Sequence, residues 1–267
     1  MHLRSKQAGF HGIMLVVAIV ALVGIGAAGY LVLQKQGDKS GASSSVSDTS
    51  NPEDPNGPPL KIKHIGIELD AYDPATNKAG DLVFLKTGLE SYDNLLFFDY
   101  GAIAKANSAA AERANPQPTF IVPLGTKIHS LVDGVVVDMP KLYSNDYSIM
   151  VASEKESQWI YELEHVINPK VKVGDTVKAG QVVAEASTHD SQYHPGFGLY
   201  EIGILHAGNP PEHVCPFNYL DSSIKDDVFA KLTDFYKSWE TYMGDTNLYD
   251  ESKHVVPGCY TLDPVAG

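Results

Sequence analysis

Twenty-one consecutive uncharged residues, IMLVVAIVALVGIGAAGYLVL from Ile13 to Leu33, constrain this chain more than any other feature. At about 1.5 Å per residue, a helix of that length spans roughly 30 Å, the thickness of a bilayer's hydrocarbon core. The apolar region of a signal peptide is normally shorter and is followed, not interrupted, by small residues. The run therefore reads as an uncleaved transmembrane helix over 13–33 and not as a cleaved leader. Arg4 and Lys6 precede it, whereas Lys35 and Lys39 follow it with Asp38 between them. The short basic end, residues 1–12, is expected in the cytoplasm and the remainder outside, as a single-pass protein of the cell membrane.

Beyond the apolar run, GDKSGASSSVSDTSNPEDPNGPP over residues 37–59 contains no large apolar residue except Val46. Such a stretch cannot bury enough surface to offset its ordering entropy, so residues 34–60 are expected to form a flexible linker. Outside residues 1–35 the chain carries 17 basic against 33 acidic groups, a net charge of −16. A body that acidic repels phosphate backbones, which excludes nucleic acid as a partner. The two cysteines, Cys215 and Cys259, exclude a disulfide-dense miniprotein and a cysteine-based zinc module. In an extracytoplasmic setting they are expected to bond to each other, closing a 44-residue separation.

From residue 61 to 220, short β-type runs alternate with Gly, Pro, Asn and Asp. Expected strands are Lys61–Leu69, Asp81–Lys86, Asn94–Tyr100, Thr119–Val122, Gly134–Met139, Tyr147–Ala152, Trp159–Leu163, Gln181–Ala186 and Leu199–Leu205. The Ala-rich stretch Ala102–Ala114 reads as a short helix. The segment 221–267 holds the strongest helical signal: Ile224, Val228, Leu232, Phe235, Trp239 and Tyr242 recur at steps of three and four. Asp221 or Ser222 suits its start and Gly244 its end. Its polar face mixes Lys with Asp and Glu, so it is read as a packing helix and not a membrane-surface one.

The run FIVPLGTKIHSLVDGVVVDM, followed by IYELEHVINPKVKVGDTVKAGQVVAEAS, resembles the LytM/lysostaphin-type zinc endopeptidases. The resemblance spans roughly Asn94–Leu205 and rests on three elements in order. These are a Pro-x-Gly-Thr turn, an Asp-Gly-Val strand start and a Val-Gly-Asp-x-Val-x-x-Gly-Gln hairpin. Biotinyl and lipoyl carriers share the hairpin, but the modified-lysine turn they need is missing. The resemblance implies a mainly β, duplicated-hybrid-motif β-sandwich with the late helix packed on it. It also implies an activity, hydrolysis of peptide cross-links in bacterial cell walls.

Catalytic zinc needs three protein ligands and an open position for water. Family enzymes draw theirs from an H-x-x-x-D pattern and the second His of an H-x-H pattern. The first pattern falls on Leu95-Leu-Phe-Phe-Asp99, leaving Asp99 as a remnant ligand. The second falls near Gly198-Leu199-Tyr200-Glu201, where no imidazole stands. His165, nine residues before Gly174, sits where the family's assisting His is expected and is the candidate catalytic remnant. No metal is therefore expected, with zinc held by His189 and His194 as the alternative. Asp99 also reads as a turn cap, and His165 equally as a buried structural imidazole. Tyr161, Tyr200 and Glu201 are the candidate groove residues, although the same aromatics suit sheet core. The resulting expectation is a membrane-anchored, catalytically inactive peptidase-like module that binds peptidoglycan or an envelope protein. An active zinc endopeptidase with atypical ligands is the alternative.

Overall fold

The structure is a computed structural model that describes residues 56–103, 113–189, 191, 192 and 194–267. The expected membrane helix at 13–33, the linker up to residue 55 and most of the Ala102–Ala114 segment lie outside the described residues. Among the described residues no helix is long and apolar enough to cross a membrane.

The described body is mainly β with one long helix. Its strands are β1 (Lys78–Ala79), β2 (Leu82–Val83), β3 (Phe97–Phe98), β4 (Thr119–Pro123), β5 (Lys127–His129) and β6 (Gly134–Asp138). They continue with β7 (Tyr147–Ala152), β8 (Trp159–Ile167), β9 (Thr176–Val177), β10 (Val182–Ala186), β11 (Phe197–His206), β12 (Glu212–Val214) and β13 (Val265–Ala266). β1 and β2 form a separate two-stranded ribbon; the other eleven belong to one sheet with the path β13-β12-β11-β8-β7-β6-β9. β4 pairs with β11 and β3, and β10 joins β5 to β8. Every ladder among the described residues is antiparallel.

The helix α1 spans Ser222–Met243. Asp221 caps it by accepting a hydrogen bond from the Ser223 N–H at 2.9 Å. Gly244, at φ 79°, ends it with its N–H on the Glu240 carbonyl. Val228, Leu232, Phe235, Tyr236 and Trp239 are buried, and Ile224 and Tyr242 lie half-buried at the margins. This stripe packs on an aromatic core that includes Phe84, Phe97, Phe120 and Phe217.

Cys215 and Cys259 form the expected disulfide, with Cα atoms 6.2 Å apart. It ties the segment after α1 to the end of β12, while β13 pairs with β12 in the same region.

Expected strands Asp81–Lys86 and Asn94–Tyr100 shorten to Leu82–Val83 and Phe97–Phe98, and two further elements differ more. Lys61–Leu69 forms no ladder strand: its buried isoleucines pack inward, but Ile62 makes a single parallel bridge to Leu220. Gly66, at φ 90°, breaks the extended run, and a Cβ there would meet the Tyr200 hydroxyl at 2.0 Å. The two ends of the Ala-rich segment pair with each other, Ile103 opposite Ala114, so the helix expected over 102–114 does not include them.

Candidate active site

The central ladder sorts the polar residues. In register, Glu201 of β11 lies opposite Thr119 of β4 on one side and Glu164 of β8 on the other. Gly203 lies opposite Glu162. Alternation therefore gathers Thr119, Glu162, Glu164 and Glu201 on one face of the sheet, and sends Phe120, Tyr200 and Ile202 to the other. Gln117 precedes β4 and closes the group. Its side-chain amide donates to Glu162 Oε2 at 3.2 Å and to Glu164 Oε2 at 3.1 Å. Thr119 Oγ1 donates to Glu201 Oε1 at 3.2 Å, and Ser148 Oγ donates to Glu162 Oε1.

His165 stands beside these carboxylates, where β8 departs from regular strand geometry at φ 59°. It is 2 % exposed, and its Nδ1 lies 3.0 Å from Asp146 Oδ2. Asp146 also accepts from Ser187 Oγ at 2.6 Å and from Ser144 Oγ. Burial opposes ionisation of Asp146, but the hydrogen bonds from His165, Ser144 and Ser187 hold its carboxyl below the usual range. Burial likewise lowers the His165 pKa. The hydrogen bond to Asp146 and the charges of Glu201 and Glu164 outweigh it, raising the imidazole to about 9. Glu162 moves the other way for a carboxylate: burial, with the charges of Glu164 and Glu201, pushes it up to about 8.

These shifts set a pH dependence. Both groups bind protons more tightly folded than unfolded, so their stabilisation is complete below their unfolded pKa values. It is lost as pH rises through the folded ones. In metal-free protein kept in chelator, the melting temperature should fall steadily between pH 6.5 and 9. Glu162 alone accounts for about 2 kcal/mol of that loss. Glu162→Gln, which mimics the protonated carboxyl, should flatten the decline in a thermal melt series. An equal decline in both proteins would contradict the assignment.

The residues expected from sequence are dispersed. Asp99 is buried on the α1 side, where Oδ1 accepts from the Tyr236 hydroxyl at 2.6 Å and lies 3.1 Å from His254 Nε2. It is a structural group, on the opposite side of the sheet from Glu201. Tyr161 and Tyr200 are both 0 % exposed. The Tyr161 hydroxyl is bonded to the backbone of Leu60, and the Tyr200 ring stacks on Phe120. Core packing thus replaces the expected groove lining for these two. Glu201 is half-buried on the polar face.

His189 stacks on His165 with centroids 3.9 Å apart, whereas His194 stacks on Phe197 and lies against Gly88. No metal-compatible cluster among the described residues contains both His189 and His194. Leu199, which alternation places on the same face as Glu201, is aliphatic, and the neighbouring Gly198 has no room for a side chain: a Cβ there would lie 2.0 Å from the Ser187 carbonyl oxygen. Asn115-Pro-Gln-Pro-Thr119 leads into β4, beside β11, with the same spacing, and it ends in a hydroxyl and not a carboxylate. The residues at the implied zinc positions therefore do not fit a three-ligand zinc set.

Residues that the sequence reading passed over are Gln117, Thr119, Asp146, Glu162 and Glu164. The signal for two of them was present in Tyr161-Glu-Leu-Glu-His165, where glutamates two apart on a strand must share a face.

Residues 118–204 match the sequence profile of peptidase family M23. The matched stretch includes Thr119, Glu162, Glu164, His165, Gly198 and Glu201, and leaves Asp99 outside. Among solved structures, LytU is 20% identical, with 42% of this chain and 74% of that chain covered at a TM-score of 0.35. The catalytic domain of the prophage-encoded M23 protein EnpA from Enterococcus faecalis is 22% identical, covering 45% and 85% at 0.33. A chain of the SpoIIQ–SpoIIIAH pore-forming complex is 14% identical, covering 54% and 96% at 0.34. No curated protein matches the chain.

Proposed function

We propose that residues 61–220 form a non-hydrolytic, M23-like module that a membrane helix at 13–33 holds outside the cell membrane, and that it binds at the cell envelope. The observation that carries this reading is the composition of the sheet face where the family match lies. Thr119, Leu199 and Glu201 occupy the β4 and β11 positions on that face. Water activation requires a fixed three-ligand cage with an ordered surround, and the H-x-x-x-D and H-x-H residues do not supply one. In place of that cage the face offers carboxylates, Gln117, Thr119 and a charged His165, a polar surface suited to peptide or glycan amides and ammonium groups.

Peptidoglycan is the ligand favoured here, because the sheet carries an M23 match and the membrane run would hold the module next to the wall. The test is co-sedimentation of the full-length chain, purified in detergent, with isolated sacculi. The protein is expected in the pellet with no soluble fragments released. Glu164→Gln combined with Glu201→Gln should reduce the pelleted fraction several-fold without moving the melting temperature by more than a few degrees. Wild-type protein left entirely in the supernatant would sink peptidoglycan as the ligand.

A further inference from the structure

We propose that Glu164, His165 and Glu201 together bind one divalent transition-metal ion of the zinc or manganese class. This deepens, and rests on, the reading of the polar face as a binding surface. Its residues differ from the three-ligand set that the family resemblance implies, and it revises the expectation that no metal is held.

One potential ligand atom from each of the three residues lies within 4.8 Å of the others. Each is also oriented by a neighbour that is not itself a ligand. Gln117 Nε2 holds Glu164 Oε2 at 3.1 Å, and the Thr119 hydroxyl, shared with the Gln117 carbonyl at 2.9 Å, reaches Glu201 Oε1 at 3.2 Å. Asp146 holds His165 Nδ1 at 3.0 Å and is itself fixed by Ser144 and Ser187. With Nδ1–H committed to Asp146, Nε2 is the nitrogen left to carry a lone pair to an ion. A carboxylate behind a metal-binding imidazole is the usual way of fixing that tautomer.

Charge argues the same way. Among the described residues no lysine or arginine ion-pairs with Glu164. One imidazole and two carboxylates suit zinc or manganese better than calcium or magnesium, which prefer oxygen alone. Glu164 and Glu201 are half-buried, so their side chains can close the short distance to bonding range.

Two other clusters compete less well. In His64–Glu68–His129, His64 Nδ1 accepts the Gly66 N–H at 3.0 Å, so the neutral ring carries its proton on Nε2, the nitrogen facing Glu68. In Asp146–His165–His189 the two rings are stacked 14° from parallel, which aims their lone pairs side by side and not at one point.

The test is calorimetric titration of ZnCl2, and separately MnCl2, into the full-length chain in detergent after chelator stripping. One equivalent should bind. Glu164→Gln with Glu201→Gln should weaken binding at least about 100-fold, and Thr119→Val, which leaves all three ligands in place, about 10-fold. His129→Ala should leave it unchanged. If the double variant fails to fold, Thr119→Val decides. Absence of binding, binding indifferent to Thr119→Val, or binding lost in His129→Ala would each overturn the proposal. Hydrolysis is read separately: zinc-bound protein that cuts cell-wall peptide would contradict the non-hydrolytic reading and leave the metal site standing.

Discussion

Gly198→His is expected to destabilise the domain by about 3 kcal/mol or more. The first atom beyond Cα would already sit 2.0 Å from the Ser187 carbonyl oxygen and 3.1 Å from its carbon. The obstacle is backbone, not a side chain that can rotate away, and Ser187 is tied by its own N–H to the His165 carbonyl. Relief would require β11 to separate from the segment after β10, which breaks the sheet beside His165. Glu201→His, three positions along, on the polar side and only half-buried, meets no such backbone obstacle of its own making and should cost less than Gly198→His. Urea denaturation followed by tryptophan fluorescence separates the two outcomes. Equal midpoints for Gly198→His and wild type would show that the close approach of Ser187 to β11 is not what holds this strand in place.

Trp239→Ala carries the other large expected effect, about 3–5 kcal/mol. Trp239 is 0 % exposed; it meets Phe84 edge-on at 5.0 Å between ring centroids and lies nearly parallel to Tyr242. Its Nε1–H donates to the Asn94 carbonyl at 2.9 Å. The substitution leaves both a cavity under α1 and a carbonyl without its donor, and these penalties add. Trp239→Phe keeps most of the volume and should cost about half as much. Thermal melts followed by circular dichroism measure both, and a Trp239→Ala midpoint within two degrees of wild type would mean that α1 contributes little to the core.

The helix was legible because its signals agree: an apolar stripe at steps of three and four, Asp221 in position to cap and Gly244 in position to stop it. The central strands were legible for the same reason, and Tyr147–Ala152 keeps its expected bounds. Lys61–Leu69 has the apolar content of a strand, but its backbone donors are spent on Tyr219 and Leu131 carbonyls far along the chain. No local pattern encodes that.

The site was harder to read. Asp99 finds its partner Tyr236 across 137 residues, so its role as a buried anchor for α1 could not be seen from Phe97-Phe-Asp-Tyr100 alone. Grouping Tyr200 with Glu201 as groove residues overlooked a constraint that was available: adjacent strand residues point to opposite faces. The same alternation, applied to Glu162 and Glu164, would have found half of the acidic cluster. Thr119 and Asp146 reach it from two other strands and turns, and only the register of β4 and β7 against their neighbours brings them in.

The claim that the module recognises and does not cut is tested most directly by following soluble fragments released from purified peptidoglycan. The full-length chain, in detergent, would be incubated with sacculi for hours, with and without added zinc, beside a parallel sample in chelator. Three identical baselines are expected, with protein still bound to the pelleted sacculi. Fragment release that grows with zinc, stops with chelator and is lost in His165→Ala or Glu201→Gln would contradict the account and establish an active metallopeptidase.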